Sequence, residues 1–506
     1  MTDGILDRLY SIRLTDEQRR ALELAERGES FKINAFAGTG KTTTIKAIAK
    51  KNPNKSCLYL AFNSAIANEL RSVAPHNLQV YTIHQYARRE LYKAGYSHKL
   101  AEPEIKYKKK TDLLLSTSRD LAGLPAEVLM IGLSMLDAFC RSTETEIRFD
   151  RESHYARNIH GWSETDSPGL IEQDKEVCKK LEDSFLLLAN KLWSIISSKE
   201  SSIPLSFDFY LKIWQLSSTP AEASIIFIDE AQDLDPVMFS GIAKMDRQLI
   251  LVGDTYQQIY QWRGAVNAME KVNFPSVFLT QTFRFPPSIA RIANICLKKM
   301  GEENQLHSKI PEPSSFKPKQ MTIINRTNLS VIRRSIVIAK QGIRFKIQLS
   351  FSGGIHSLKQ LCVDIFNLKK GKKSSNKNIV HYKNYLQIIL DRDQECGLVN
   401  PEISSAINLL EFYSFDIFGL ASDLDLIINN SEREDSDCEL LICTAHASKG
   451  KEWDYVEIGV DFEKKLKSKG DDFFDELRLF YVAITRAKVG IINHQYVEGL
   501  ASEICI

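Results

Sequence analysis

The sequence lacks the patterns that mark several classes of protein. Nine cysteines are scattered over 506 residues with no Cys-x-x-Cys pair, so neither a zinc site nor an iron–sulfur cluster is indicated, and a reduced, intracellular protein is expected. No window reaches the roughly 18 apolar residues that a membrane span needs. The N-terminal residues MTDGILDRLY also lack the basic and apolar segments of a signal peptide. We therefore expect a cytoplasmic protein with no membrane partner.

An excess of charge of one sign is missing as well. Lys and Arg total 66 against 64 Asp and Glu, a net charge of +2, so a nucleic-acid surface would require local clustering of basic residues. Two lysine-rich stretches, 106–110 and 369–373, are candidates for phosphate contacts. The alternative is that both are ordinary solvated surface.

Alternating strand-like and helical segments predict the α/β class. Residues 31–37 form a short apolar run that enters a glycine turn, and 41–50 then show helical spacing. Further strand-like runs precede residue 280, at 57–62, 78–82, 224–228, 248–252 and 276–279. Leucine-rich helical patterns replace them between residues 88 and 220, which predicts a helical insertion.

A second α/β unit is predicted to begin near Gln320. Strand-like segments lie at 321–325, 439–444 and 455–460, and helical ones at 329–341 and around Glu476. No internal repeat is evident. The basic stretch 368–378 and the acidic stretch 430–437 within this unit are predicted to be loops.

The glycine turn after residue 35 has the context of a phosphate-binding loop. It follows a strand and opens a helix, so backbone N–H groups and the helix N-terminus can bind phosphates, while Lys41 reaches the β and γ oxygens and the Thr42 hydroxyl ligates Mg²⁺. The residues predicted to contact ATP here are Ala37, Gly38, Thr39, Gly40, Lys41, Thr42 and Thr43.

Two acids end the apolar run 225–228. Because ligands bind at the carboxyl ends of parallel strands, Asp229 is predicted to hold Mg²⁺, and Glu230 to orient and deprotonate the attacking water. The departing γ-phosphate also needs positive charge, for which Arg284 and Arg486 are the candidates. These arginines lie in different predicted α/β units, so we expect ATP to bind in a cleft between the units.

Seven segments together resemble superfamily 1 helicases of the UvrD/Rep/PcrA type. The sequences AFAGTGKTTT (35–44) and AFNSAIANEL (61–70) are most similar to the F-box DNA helicase branch. In that family alanine begins the phosphate loop, so Ala35 is expected. The seven segments are LTDEQRRAL (14–22), AFAGTGKTTT (35–44), IFIDEAQD (226–233), LVGDTYQQIYQWRGA (251–265), LTQTFR (279–284), TAHASKGKE (444–452) and ELRLFYVAITRAK (476–488).

The resemblance implies an architecture of two RecA-like parallel-sheet P-loop NTPase domains. Domain 1A is predicted at 1–88 and 221–310, with a helical insertion 1B at 89–220. Domain 2A is predicted at 311–350 and 438–506, with a reduced 2B-like insertion at 351–437. Only 117 residues separate Arg326 from Thr444, which is short for a family that places a large helical domain there.

The resemblance also assigns roles around ATP. Gln18 is the adenine-reading glutamine, and Phe283 occupies the position of a tyrosine that stacks on the base. Gln257 couples the γ-phosphate to the DNA site, Glu452 lies near the ribose, and Arg284 with Arg486 contacts the γ-phosphate.

For DNA, the resemblance marks residues in five motifs. Alanine replaces the lysine of motif Ia at Ala65, so one phosphate contact is predicted to be missing. For the aromatics the alternative is a place in the core, and for the histidines a purely structural role. The predicted DNA contacts are Phe62, Asn63, Thr82, His84, Tyr260, Trp262, Arg263, Arg326, His446 and Lys449.

These residues predict an ATP- and Mg²⁺-dependent motor that moves 3′ to 5′ on single-stranded DNA and unwinds duplexes from single-strand/duplex junctions. The competing hypothesis is an ATP-gated single-strand sensor without autonomous unwinding. The motifs by themselves do not exclude RNA. Little sequence follows the last motif, so a nuclease, if one is needed, is expected as a separate subunit, as in antiviral systems of the Gabija kind.

Overall fold

The computed structural model describes residues 13–504 with the exception of 101–125, 149–171, 218–219, 262–265, 316–319, 352, 375, 377–378, 380–383, 387, 390–400 and 433–437. The chain forms two compact units. The first consists of Met1–Ile33, Thr42–Gly253 and Arg263–Val277, and the second of Asn34–Lys41, Asp254–Trp262 and Phe278–Ile506. Among the described helices, none has both the length and the apolar character required to cross a membrane.

A six-stranded sheet contains the strands predicted before residue 280. The strands are β1 Phe31–Ala35, β2 Cys57–Ala61, β3 Leu78–Thr82, β4 Ile225–Ile228, β5 Gln248–Gly253 and β6 Ser276–Leu279. Their order in the sheet is β3-β2-β4-β5-β1-β6, and β2 pairs in parallel with both β3 and β4. All positions of β2 and β4 are buried, as expected for central strands of a parallel sheet covered on both faces.

The helices of the first unit pack into the same core as this sheet. Buried Leu58 and Ile226 from the sheet belong to one hydrophobic cluster with Leu129 and Leu192 from the segment predicted to be a separate insertion. The helices are Asp16–Glu26, Lys41–Lys51, Ser64–Ser72, Ile83–Leu91, Ser97–Leu100, Ala126–Arg141, Glu172–Ser197, Phe207–Ser217, Pro236–Ala243 and Ala268–Lys271, with a π-helical turn at Tyr92–Tyr96 and a 3-10 turn at Ala231–Asp233.

A five-stranded sheet organises the second unit. A short parallel pair, β7 Gln281–Thr282 with β8 His307–Ser308, stands apart from it. The five strands of the sheet are β9 Met321–Asn325, β10 Lys346–Gln348, β11 Leu440–Thr444, β12 Trp453–Ile458 and β13 Ala487–Ile491. Their order is β10-β11-β9-β12-β13, and the pairings along it are parallel.

Two hydrophobic clusters lie in the second unit. One joins the helix at 473–484 to those at 287–299 and 494–504. The other joins the helices at 328–340, 354–369, 401–412 and 417–430 to β9 and β11. The helices are Pro287–Lys299, Asn328–Lys340, Gly354–Lys369, Pro401–Phe412, Ile417–Asn430, Ala445–Ser448, Phe462–Ser468, Phe473–Ile484 and His494–Ile504, with a 3-10 turn at Thr255–Gln257.

The α/β class is confirmed, while the predicted domain boundaries remain a prediction. Helices within 89–220 share a core with the first sheet, and the helices at 354–369, 401–412 and 417–430 share one with the second. Residues 278–310 group with the second unit rather than the first. In the described part of the chain, the helices of both predicted insertions therefore belong to the same hydrophobic clusters as strands of the two sheets.

The structure describes only one of the two lysine-rich stretches. Residues 106–110 lie outside the described residues. Lysines 369, 370, 372 and 373 are exposed at and after the end of the helix at 354–369, and the Lys369 ammonium lies 3.2 Å from the centroid of the Phe415 ring. The helix therefore extends two residues into the predicted loop.

Candidate functional site

The phosphate-binding loop connects β1 to the helix that begins at Lys41. Gly38 and Gly40 have φ angles of +73° and +86°, a left-handed conformation that glycine adopts without steric cost and that anion-binding backbone nests use. The Thr39 hydroxyl donates to the Phe36 carbonyl at 2.8 Å, and Lys41 Nζ donates to the Ala35 carbonyl at 3.1 Å. The loop therefore has the backbone form of a phosphate site.

Residues 282–284 pack directly on this loop within the second unit. The Thr282 hydroxyl donates to the Ala37 carbonyl at 3.0 Å, and Phe283 N donates to the Gly38 carbonyl at 2.8 Å. A Cβ atom on Gly38 would lie 2.4 Å from the Cβ of Arg284. Only glycine fits at position 38, and the first candidate arginine is thereby held beside the phosphate loop.

Arg284 is held by two further contacts. Its Nε lies 2.7 Å from a carboxylate oxygen of Glu452, and its Nη1 donates to the Thr485 carbonyl at 3.1 Å. Glu452 is thus an ion-pair partner of Arg284, whereas the predicted position near the ribose is not tested by these contacts.

The second candidate arginine is buried and bonded to the coupling glutamine. Arg486 is 2% exposed, and its Nη2 donates to Gln257 Oε1 at 3.0 Å. Its Nε donates to the Val482 carbonyl at 2.9 Å. The amide nitrogen of Gln257 in turn donates to Asp254 Oδ2 at 2.6 Å. The side chain of Gln257 is therefore fixed at both ends.

Tyr481 extends this network to the phosphate loop. Its hydroxyl donates to Asp254 Oδ2 at 3.2 Å and accepts from Ala37 N at 3.5 Å. Burial, reinforced by the Asp254 charge, raises the pKa of Tyr481 well above its usual value, so the phenol stays protonated. A continuous set of hydrogen bonds thus joins the phosphate loop to Arg486.

The two acids after β4 lie in the first unit. Asp229 is 4% exposed, its Oδ1 accepts from Glu230 N at 3.0 Å, and its Oδ2 accepts a hydrogen bond from the Tyr59 hydroxyl. Glu230 has a φ of +52°, which is unusual for a residue with a side chain. Gln232 Nε2 donates to Glu230 Oε2 at 2.5 Å. Backbone strain of this kind is common at functional sites.

The donors available for Mg²⁺ in this unit are oxygens, which is the chemistry that the ion prefers. Thr42 is exposed in the first turn of its helix, and Asp229 provides a carboxylate fixed by hydrogen bonds. These residues fit the ion predicted to accompany ATP. Among the described residues, no group of three or more His, Cys, Asp or Glu side chains has the arrangement of a separate metal site.

Gln18 and Phe283 were predicted to contact the base. Gln18 is buried, forms a capping box with Thr15, and its amide nitrogen donates to the Thr44 hydroxyl at 3.2 Å. Phe283 is 50% exposed, which leaves its ring accessible for stacking. Thr43 is half-buried in the first turn of the helix that follows the phosphate loop.

Two of the predicted DNA contacts in the first unit also cap helices. The Asn63 side chain accepts from Ile66 N at 3.0 Å, and the Thr82 hydroxyl accepts from Gln85 N at 3.1 Å. Both oxygens satisfy N–H groups that a helix N-terminus leaves without partners in the helix. Phe62 is half-buried at the end of β2.

His84 belongs to an aromatic group with Tyr210 and Phe207. Its Nδ1 lies 3.1 Å from the Tyr210 hydroxyl, and its ring centroid lies 5.8 Å from that of Phe207. Burial lowers the pKa of His84, although the charge of Asp208 opposes the shift. Phe207 is 54% exposed, so an aromatic face is open to solvent beside this predicted DNA contact.

In the second unit, three predicted DNA contacts form one group. The ring centroids of Tyr260 and His446 are 6.4 Å apart, and the Lys449 ammonium lies 5.0 Å from the centroid of the Tyr260 ring. Lys449 Nζ also donates to the backbone carbonyl of Gln257 at 2.6 Å. Trp262 and Arg263 lie outside the described residues.

Arg326 has a buried partner that the sequence did not indicate. Its guanidinium forms two hydrogen bonds with the Glu476 carboxylate, one of them 2.8 Å long, and its backbone N donates to Asp461 at 3.0 Å. Burial lowers the pKa of Arg326, but the hydrogen bonds and charge of Glu476, together with the charges of Asp461 and Asp472, outweigh burial and raise the pKa. A DNA contact by Arg326 would have to coexist with this pair or break it.

Three polar residues of these networks were missed by the sequence reasoning, namely Tyr59, Asp254 and Tyr481. Asp254 and Tyr481 lie inside motifs, next to the coupling glutamine and before the final arginine, so their positions carried a signal. Tyr59 lies in an apolar strand and reads as a core residue. Phe207 was also missed, because in the sequence it has the character of a core residue.

Comparison with known proteins identifies the family. Residues 14–272 match the UvrD/REP helicase N-terminal domain, and residues 355–492 match the UvrD-like helicase C-terminal domain. F-box DNA helicase 1 of Gallus gallus is 28% identical over 97% of this chain and 50% of its own length. F-box DNA helicase protein 1 of Schizosaccharomyces pombe is 28% identical over 97% of this chain and 58% of its own.

A smaller bacterial relative aligns over most of its length. The probable DNA helicase II homolog of Mycoplasma genitalium is 24% identical over 94% of this chain and 84% of its own. The chain spans only about half the length of the two F-box relatives. The N-terminal domain match alone covers more than half of the chain, and the protein therefore belongs to the UvrD/REP helicase family.

Proposed function

We propose that the protein is an ATP-dependent DNA helicase that translocates on single-stranded DNA. One observation carries the proposal most directly. Gln257 accepts a hydrogen bond from Arg486 through its side chain and from Lys449 through its backbone carbonyl. Arg486 belongs to the predicted nucleotide site and Lys449 to the predicted DNA site. A change at the γ-phosphate therefore has a direct route to a DNA-binding side chain.

The nucleotide chemistry follows from the loop and the acids. Lys41, Arg284 and Arg486 supply positive charge to the phosphates. This charge stabilises the transition state, in which negative charge develops on the departing phosphate groups. Glu230 accepts the proton of the attacking water. Asp229 and Thr42 would hold Mg²⁺, which neutralises phosphate charge when bound.

Strand binding relies on aromatic faces and basic groups. Phe207 is exposed beside His84, and Tyr260 lies beside Lys449. Stacking of one base on an aromatic ring is worth about 1 to 3 kcal/mol, whereas one duplex step costs about 1.4 kcal/mol on average. Stacking of this size is enough to hold an opened base.

The test combines ATP hydrolysis with strand displacement. Purified protein is assayed with and without single-stranded DNA, and on duplexes carrying either a 3′ or a 5′ tail. We expect DNA-stimulated hydrolysis and displacement from the 3′-tailed duplex, the polarity that the family resemblance implies. Lys41→Ala is the inactive control. Displacement only from the 5′-tailed duplex would refute the polarity, and hydrolysis that ignores DNA would refute the coupling.

A second candidate function is an ATP-gated single-strand sensor. It is favoured by the helices at 354–369, 401–412 and 417–430, which share one hydrophobic cluster with β9 and β11 and, within the described part of the chain, do not form a separate core of a domain that could regulate unwinding. DNA-stimulated hydrolysis without displacement from any tailed duplex would support this function. The associated hypothesis of a separate nuclease subunit requires that a nuclease copurifies with the protein from its native host.

A further inference from the structure

Tyr59 contacts Asp229 from the middle of a buried strand. Its side chain is fully buried in β2, which runs parallel to β4 with Tyr59 opposite Phe227. Two residues beyond this pairing, Asp229 N donates to the Leu60 carbonyl at 3.1 Å. The Tyr59 hydroxyl donates to Asp229 Oδ2, and Glu230 N donates to Oδ1. The carboxylate is therefore held through both of its oxygens.

Packing alone does not account for the tyrosine. The neighbouring positions of β2 and β4 are apolar, and phenylalanine would fill almost the same volume without a polar atom. A buried hydroxyl is unfavourable unless it forms a hydrogen bond. The Tyr59 hydroxyl has such a bond, because it donates to Asp229 Oδ2.

We propose that Tyr59 is a positioning residue that holds the Asp229 carboxylate in the orientation required to coordinate the Mg²⁺ of bound MgATP. A carboxylate has about four acceptor positions, so a bond from tyrosine does not preclude metal coordination. Partners that orient metal ligands in this manner typically change metal affinity or activity about 10- to 100-fold when removed. The proposal rests on the proposed ATP-dependent function and adds the residue that sets its metal requirement.

The test is Tyr59→Phe, with Tyr413→Phe as the matched control. Tyr413 also donates to an aspartate, Asp423 Oδ2 at 2.6 Å, in a helical region of the second unit. Binding of Mn²⁺ in the presence of a non-hydrolysable ATP analogue is measured by electron paramagnetic resonance, and the Mg²⁺ concentration for half-maximal ATPase by titration. We expect Tyr59→Phe to weaken Mn²⁺ binding and raise the half-maximal Mg²⁺ about tenfold, with near-normal kcat at saturating Mg²⁺. Tyr413→Phe should change neither.

A double-mutant cycle separates positioning from general stability. Circular dichroism first establishes that each variant is folded. In an Asp229→Asn background, Tyr59→Phe should have little further effect on Mn²⁺ binding, because the group that it positions is gone. Unchanged Mn²⁺ affinity in Tyr59→Phe, or an equal loss of affinity in the control Tyr413→Phe, would overturn the proposal. If the proposed function itself is wrong, the wild-type protein will bind Mn²⁺ with the analogue but will not hydrolyse ATP. That result differs from an unchanged Mn²⁺ affinity in Tyr59→Phe.

Discussion

The ion pair between Arg326 and Glu476 can be tested through an asymmetry between its two partners. The Glu476 side chain is 4% exposed and the Arg326 side chain is 26% exposed. Arg326→Met leaves a deeply buried carboxylate without its partner. Glu476→Gln leaves a guanidinium that water still reaches in part and that keeps its charge interaction with Asp461. Removing one partner of a buried pair costs about 3 to 5 kcal/mol.

We therefore expect different costs for the two variants. Arg326→Met should destabilise the second unit by about 4 kcal/mol, and Glu476→Gln by about 3 kcal/mol or less, because residual hydration offsets part of the loss. The double variant should be destabilised by clearly less than the sum of the two, since no isolated charge remains.

The assay is hydrogen exchange followed by mass spectrometry in low urea. Peptides from the helix at 473–484 report on the pair, and peptides from β4 in the first unit serve as an internal reference. Additive effects, or a larger loss for Glu476→Gln than for Arg326→Met, would refute the reasoning. Single-strand affinity of the same variants addresses the predicted DNA role, since only Arg326→Met should weaken binding if the guanidinium contacts a phosphate.

Three further predictions concern the site and the helical region. Lys41→Ala should abolish ATP binding in equilibrium titrations. Glu230→Gln should retain ATP binding, but its rate of ATP hydrolysis should fall at least about 100-fold, because a general base contributes on that order. A wild-type rate of hydrolysis in Glu230→Gln would show that this residue is not catalytic. Phe207→Ala should weaken single-strand binding by about 1 to 3 kcal/mol in fluorescence anisotropy, and unchanged affinity would leave Phe207 as an incidental surface residue. Lys212→Met should destabilise the first unit by about 2 kcal/mol in urea titrations, because the buried ammonium donates to the carbonyls of Ser142 and Glu144; a neutral result would show that those carbonyls find water instead.

Local sequence patterns predicted the six strands of the first sheet and β9, β11 and β12 of the second closely, but they did not predict β10 or β13. Five-residue apolar runs, turns rich in glycine and two acids at a strand end are short-range signals, and β1, β2, β3 and β4 fall within about two residues of the predicted bounds. The family followed from the seven motifs, and the class of fold from the alternation of strand-like and helical segments. The comparisons confirm both.

Helix capping was also visible in the sequence but was not used. Thr82 with Gln85 three residues later is a capping-box pattern, and Asn63 precedes a helical run. The family resemblance drew attention to DNA at the same positions. Their capping role is structural, and a DNA contact by either residue remains a prediction.

What the sequence determined by itself is therefore the set of chemical groups and the elements that present them. The tertiary structure decided which groups meet. Tyr59 meets Asp229 across 170 residues, Arg326 meets Glu476 across 150, and Tyr481 meets Asp254 across 227. It also decided that helices predicted as separate insertions share cores with the sheets. The physical reason is that the periodicity of a sequence shows only which face of a helix or strand is apolar. The partner of a buried polar group depends instead on how distant elements pack, because a polar group removed from water needs a hydrogen-bond partner.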